Sequence, residues 1–205
     1  MRKAAFILLL SASPVLGQTP GLPVYGGGFS PTIELEGLVG FPEGETPSGK
    51  GTTFGARGTL AFGRFGVSAT VATFNPSAVG NSQVAYGAMV GLKVIGAPLS
   101  PFALYLQGGA GGMDNQGADS SQVQIPVGIA ATLVIPTPII SIKPWVAPRL
   151  HVVRTSVAGG STSESEFAIG AGVDLTLLGG ISFRAAYDRI SGQDGTLGLS
   201  LALHL

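Results

Sequence analysis

The sequence contains no cysteine, so disulfide bonds cannot stabilise its fold. Only 11% of its 205 residues are charged, less than half of the ~25% that is usual in soluble domains. Basic and acidic residues number 11 each, and this balance argues against nucleic-acid binding. Beyond the amino-terminal region, every apolar run is interrupted before the ~18 residues that a membrane-spanning helix needs. These absences exclude a disulfide scaffold and a helical membrane protein. The low charge content also argues against the surface of an ordinary soluble protein.

What the chain has instead is an apolar, glycine-rich composition. Hydrophobic residues make up 45% of it, 33 residues are glycine, and the mean hydropathy is +0.44. A chain without spanning helices can still cross a membrane as a closed β-barrel, because every backbone N–H and C=O group then pairs with a neighbouring strand. The composition is typical of such a barrel.

The first residues have the pattern of a secretory signal peptide. Arg2 and Lys3 precede an apolar stretch over residues 4–10, which is too short to cross a membrane as a helix. Cleavage after Gly17 would leave a mature chain that begins at Gln18 and lacks the cysteine of a lipoprotein. Three regions are therefore predicted: a signal peptide at residues 1–17, a periplasmic segment at 18–31 and a transmembrane β-barrel at 32–205.

Apolar residues alternate with small or polar ones from Thr32 onwards, most regularly at the carboxyl end. A period of two gives a strand one apolar face, as a barrel facing lipid requires. Five leucines occupy every second position of the last segment: Leu197, Leu199, Leu201, Leu203 and Leu205. The alternation predicts ten strands, at residues 32–41, 53–63, 65–73, 83–94, 102–112, 122–135, 141–154, 166–177, 181–189 and 196–205.

Short and longer connections alternate between these segments. Short turns are predicted at 64, 95–101, 136–140 and 178–180. Longer polar loops are predicted at 42–52, 74–82, 112–121, 155–165 and 190–195. The predicted fold class is all-β, an up-and-down antiparallel transmembrane β-barrel with ten strands, eight being the alternative count. Short turns and both termini would lie on the periplasmic side, and an even strand number would leave no open edge.

The same alternation assigns most strand charges to the barrel interior. The predicted lumen network contains four acids, four bases and two histidines: Glu34, Glu36, Arg57, Lys93, Arg149, His151, Asp174, Arg184, Asp188 and His204. Isolated charges are costly in a confined space, so the balance of signs predicts a paired network that plugs the lumen. The competing interpretation is that lumen water simply hydrates these charges.

Aromatic residues are predicted to form two belts at the membrane interfaces. The turn-side belt would contain Phe62, Phe65, Phe102, Trp145 and Phe183. The loop-side belt would contain Phe41, Phe54, Tyr86, Phe167 and Tyr187. Parity with Arg149 places Trp145 inside, so its membership of a belt requires a bulge near Pro144 or Pro148.

In pattern, the whole mature chain resembles the small outer-membrane barrels of the OmpA-transmembrane, OmpX and opacity-protein type. The alternating segment 196–205 looks like the signal that barrel-assembly machinery reads, although it ends in Leu205 where that signal usually ends in an aromatic residue. The resemblance implies a location in the bacterial outer membrane. It also implies outer-membrane lipids, barrel-assembly machinery and periplasmic chaperones as partners, and an extracellular ligand at the loops as a further one.

The sequence predicts no cofactor, no metal site and no catalytic residue. The segment 44–52 nearly matches a phosphate-binding loop, but Gly51 stands where serine or threonine is required. The spacing of Asp114, Asn115 and Asp119 is too loose for a calcium site. The histidines lack the His-x-Ser and Asp-x-His patterns of outer-membrane deacylases and omptin proteases, because Val153 follows His151 by two positions and Arg149 precedes it by two.

Four hypotheses about function follow. The leading one is a non-enzymatic outer-membrane barrel with a structural or surface-interaction role and a plugged lumen. The second is a narrow pore for small solutes, because ten strands leave slightly more lumen than eight. The third is a lipid-active enzyme, disfavoured by the missing motifs, and the fourth is a soluble, secreted β-sandwich.

Overall fold

A computed structural model of the chain describes residues 19, 21–24, 26, 28–29, 33–44, 49–77, 81–96, 100–115, 120–157 and 159–205. The signal peptide predicted at residues 1–17 lies outside this range and stays a prediction. Within the described residues, no helix is long and apolar enough to cross a membrane.

Ten long antiparallel strands form one closed sheet. They are β1 (Ile33–Pro42), β2 (Gly51–Phe62), β3 (Phe65–Pro76), β4 (Gln83–Ile95), β5 (Phe102–Asn115), β6 (Ser120–Leu133), β7 (Ile140–Val157), β8 (Gly160–Leu177), β9 (Ile181–Ile190) and β10 (Gly195–His204). Each pairs with its neighbours in the chain, β1 pairs with β10, and a two-residue strand at Ile135–Pro136 pairs with the start of β7. The fold class predicted from the sequence is confirmed, with ten strands.

The two faces of the sheet differ as the alternation predicts. Along β10, Leu197, Leu199, Leu201 and Leu203 are each 45–47% exposed. The residues between them point inward, and Ala202 is fully buried. The exterior is therefore a continuous apolar surface around the barrel. Soluble monomers rarely expose such a surface, because transferring apolar area out of water is favourable.

Two of the predicted longer loops are wrong, because the strands extend into them. Residues 112–121 and 155–165 were expected to be loops, yet β5 continues to Asn115, β6 begins at Ser120, and β7 and β8 approach each other as close as Val157 and Gly160. Small polar residues here, such as Ser156 opposite Ser161, complete the backbone ladder without an apolar face. Their polarity indicates contact with solvent, and it does not prevent a strand.

Prolines inside β6 and β7 are accommodated where the ladder is interrupted on one side. Pro148 pairs with Ile169 of β8, while the pairing of β7 with β6 has a gap between Arg149 and Val146. Pro126 pairs with His151 of β7 and has no partner on β5. Because proline lacks a backbone N–H, it fits a strand at positions where no ladder hydrogen bond is needed.

Candidate functional site: the barrel interior

Arg184 on β9 joins three buried carboxylates. Its Nη1 and Nη2 atoms donate to Oε1 and Oε2 of Glu34, both at 2.7 Å. Its guanidinium also lies 3.1 Å from Glu36 and 3.4 Å from Asp174. All four residues are buried. A bidentate pair between arginine and a carboxylate is among the stronger polar interactions in proteins, so this cluster fixes β1, β8 and β9 relative to one another.

β10 separates β1 from β9, and its short inward side chains let this pairing reach across it. Arg184 lies opposite Ser200, and Glu36 lies opposite Ala202. The Ser200 hydroxyl donates to Glu36. Arg57, which lies opposite Glu36 on β2, forms an ion pair with it. The network therefore extends from β8 to β2 along one wall of the interior.

Asp174 has two further partners that the sequence analysis did not include in the network. Lys143 Nζ lies 3.3 Å from Asp174 Oδ2, and Trp145 Nε1 donates to Asp174 Oδ1 at 3.0 Å. Parity with Arg149 along β7 was the signal that could have identified Lys143. The assignment of Trp145 to the turn-side belt is wrong, because its side chain lies inside and the register of β7 with β8 continues without a bulge.

Arg149 and Asp188 form a second buried ion pair, towards the loop end of the barrel. Arg149 Nη2 donates to Asp188 Oδ2 at 2.6 Å, and both residues are at most 5% exposed. The backbone N–H of Val24 also points to Asp188 Oδ2, at 3.4 Å. This pair therefore connects β7 and β9 with the segment that precedes β1.

Two residues of the predicted network, Lys93 and His151, form no ion pair with any residue that the structure describes. Lys93 Nζ lies 5.6 Å from the centroid of the Tyr105 ring, within the range of a cation–π interaction. His151 is fully buried on β7, opposite Pro126 and Glu166. Neither of its ring nitrogens has a hydrogen-bond partner among the described residues.

His204 links a serine and a glutamate in the order of a hydrolase triad. Its Nε2 atom lies 2.7 Å from Ser182 Oγ, and its Nδ1 atom lies 3.4 Å from Glu34 Oε2. Ser182 is fully buried, and its hydroxyl also bonds to Thr176 Oγ1 at 2.8 Å. A nucleophile must reach its substrate, so in this conformation the chain of hydrogen bonds can only position the side chains.

Several described residues before β1 contact inward-facing residues of the barrel. Phe29 lies against Gly66 and Gly91, near the short-turn ends of β3 and β4. Further towards the amino terminus, Leu22 is 3% exposed and belongs to a cluster with Leu38, Ala72, Phe74, Ala85 and Met113 near the loop ends of the strands. The described residues of the segment predicted at 18–31 thus contact inward-facing side chains, and the assignment of that segment to the periplasm stays a prediction. Leu205 lies at the short-turn end, where its N–H donates to the carbonyl of Ile33 at 2.8 Å.

The motifs weighed for phosphate and calcium binding fall partly outside the described range. Residues 45–48 and 116–119 are not described, whereas Gly51 begins a strand where a phosphate-binding loop would need a helix. Across the described part of the chain, no three histidine, aspartate or glutamate side chains are grouped so that they could hold a metal ion.

Trp145 is the only tryptophan in the chain, so its fluorescence can test its inward position. We expect lipids with brominated acyl chains to quench it weakly, because the side chain is 5% exposed and lies inside the barrel. As a control, Phe54→Trp in a Trp145→Phe background places the indole on the outer face, where Phe54 is 58% exposed, and should be quenched strongly. Equal quenching of the two proteins would show that the inward assignment is wrong.

No protein-family model and no curated protein sequence matches this chain. Among solved structures, the N-terminal β-barrel domain of Pseudomonas aeruginosa OprF is 9% identical over 86% of this chain and 98% of that one, with a TM-score of 0.41. The translocator domain of the autotransporter NalP from Neisseria meningitidis is 13% identical over 86% and 90%, with a TM-score of 0.43. Ail, the attachment invasion locus protein of Yersinia pestis, is 13% identical over 85% and 95%, with a TM-score of 0.35.

At these identities and TM-scores the similarities say nothing about activity. The strand pairing of the chain itself establishes its architecture. That architecture, a closed ten-stranded barrel with an apolar exterior and a polar interior, is the one predicted by the resemblance to small outer-membrane β-barrels.

Proposed function

We propose that the chain is a non-enzymatic, integral outer-membrane β-barrel with a plugged, charge-paired lumen, and that its role is structural or lies in surface interaction. The apolar exterior supports insertion among outer-membrane lipids, since every strand turns a row of apolar side chains outward. Barrel-assembly machinery and periplasmic chaperones would be its partners during biogenesis. The loop ends of the strands would be the place for any extracellular ligand.

The arrangement around Arg184 is the observation that carries this proposal. One cation within 3.4 Å of three carboxylates joins β1, β8 and β9 along one wall, and these side chains take up part of the space that an open pore would need. An open aqueous lumen would hydrate such groups separately, whereas burial favours direct pairing. The pairs support a closed interior in preference to a diffusion channel.

The burial of Ser182 supports the absence of hydrolytic activity. A serine hydrolase needs a nucleophile that is open to substrate and donors that bind the developing oxyanion. Here the serine hydroxyl lies between Thr176 and His204, and Glu34 is bonded on both oxygens to Arg184. This arrangement suits a carboxylate that holds the wall together.

Conductance of the full mature chain in planar lipid bilayers tests the closed interior. We expect no large, steady single-channel steps from protein whose folded state is verified by heat-modifiable migration on gels. Steady steps from folded protein would overturn the closed interior and would favour the narrow pore for small solutes. Protein that stays folded and monomeric in plain buffer would instead overturn the membrane location.

A further inference from the structure

The wall opposite the charged network is lined by small side chains. On β3, β4 and β5 the inward, buried positions include Gly66, Ala72, Ala85, Gly87, Gly91 and Gly111. Glycine and alanine cannot fill the middle of a ten-stranded barrel, because their side chains do not reach its axis. Larger inward side chains on these strands, such as Phe74 and Tyr105, fill part of the interior, and the small ones leave space beside the charged wall.

The described residues of the segment before β1 occupy this space at several levels of the barrel. Phe29 packs against Gly66 and Gly91, and its ring meets Tyr105 edge-on, with 6.4 Å between the centroids. A side chain at either glycine would collide with the Phe29 ring, so the phenylalanine fits there only because both positions lack a side chain.

Glycines in the segment and in the barrel wall also let the two backbones approach closely, both midway along the lumen and nearer its loop end. A Cβ atom at Gly26 would lie 2.7 Å from the Cβ of Ala147 and 3.0 Å from the Trp145 ring. Closer to the loops, the Leu22 side chain and the Gly21 backbone lie against Gly40. The segment thus contacts the wall from the turn end to the loop end.

The contacts that hold the segment differ in kind from those that hold the wall. Its contacts are mainly packing against glycine and apolar side chains, together with the 3.4 Å hydrogen bond from Val24 N to Asp188. The ion pairs of Arg184 and of Arg149 join strand to strand, and Asp188 keeps its 2.6 Å pair with Arg149 whether or not Val24 also donates to it. The wall can therefore keep its pairs when the segment leaves.

We propose that the described part of the segment before β1, residues 19, 21–24, 26 and 28–29, is a releasable stopper, for which the barrel interior is the binding channel, and that its withdrawal opens a narrow pore for small ions. The inference rests on the proposed function, since it names the part of a closed barrel that can open. The segment runs from Leu22 at the loop end to Phe29 at the turn end, so its own amino-terminal end lies at the loop end of the barrel.

A disulfide trap tests whether the segment occupies the lumen. The chain has no cysteine of its own, so any disulfide must join the two introduced residues. Gly26→Cys with Ala147→Cys should oxidise in the folded barrel after a shift of about 1 Å, because bonded Cβ atoms lie about 3.5–4.5 Å apart. The matched control is Gly26→Cys with Val146→Cys, whose side chain points outward and is 39% exposed. Alkylation followed by mass spectrometry should find both thiols free in the control; free thiols in both variants would overturn the proposal.

Deletion of residues 19–29 tests release. We expect the folded deletion variant to conduct small steady currents in planar bilayers, whereas the full chain and the oxidised Gly26→Cys, Ala147→Cys variant stay closed. If the deletion variant does not fold, Leu22→Ala with Phe29→Ala keeps the chain length and should give brief openings. A full chain that conducts contradicts the closed barrel itself. A closed full chain with a folded but equally closed variant contradicts only the stopper.

Discussion

Replacement of Arg184 by methionine is expected to destabilise the folded barrel by about 3–5 kcal/mol, because breaking a buried ion pair leaves the Glu34 carboxylate without its bidentate partner. Methionine keeps much of the length of the side chain but none of its donors. Glu34 would lose both of its 2.7 Å hydrogen bonds, and Glu36 and Asp174 would lose a cation within 3.4 Å. The free energy of unfolding can be measured by urea titration of protein folded into lipid vesicles.

Arg189 provides the matched control for this substitution. It lies on the same strand but is exposed, and its Nε donates to the carbonyl of Gln193 at 3.0 Å. Arg189→Met should change the free energy of unfolding by no more than about 0.5 kcal/mol, as is usual at exposed positions. Adding Glu34→Gln to Arg184→Met should recover part of the loss, because it removes one unpaired charge. A loss below about 1 kcal/mol for Arg184→Met would mean that water, and not pairing, stabilises these charges.

Leu199→Arg is expected to destabilise the barrel in lipid bilayers by about 2–4 kcal/mol, the cost of placing a cation on the lipid face near the middle of the membrane. Leu199 lies halfway along β10, points outward and is 45% exposed. The same urea titration in vesicles measures the effect. A change within about 0.5 kcal/mol, as is usual at positions exposed to water, would contradict a Leu199 side chain that faces lipid.

Leu178→Arg is the control for depth. Leu178 lies in the short connection between β8 and β9 and is 76% exposed. A cation there can reach the lipid headgroups and water, so we expect a loss of about 0–1 kcal/mol. Equal effects of the two arginines would contradict a bilayer that surrounds β10.

The strands and their two faces could be predicted from the sequence because the period of two acts locally. Each strand carries its own alternation, so Leu199 and Ser200 are assigned to opposite faces without knowledge of the neighbouring strands. The ends of β7 and β8 could not be predicted in this way. Ser156 and Ser161 give no apolar signal, although their backbones pair as well as any others.

The partners inside the barrel could not be predicted, because they depend on the stagger between strands. Arg184 reaches Glu34 only because β10 presents short side chains between them. The position of Leu22 and Phe29 inside the barrel also could not be predicted. Neither residue belongs to a periodic pattern, and each packs against residues of several strands. Both features arise from tertiary packing.

β1 and β10 are the first and last strands to be synthesised, yet they meet at the seam where the sheet closes. The Arg184–Glu34 bond across this region joins residues 150 positions apart, and contacts over so long a loop form late because of the entropy that they cost. The segment before β1 directly precedes one of the two strands of that seam in the sequence. We therefore expect the barrel to wrap around its own amino-terminal segment during assembly, so that the stopper is enclosed by the last pairing and does not have to thread into a finished barrel.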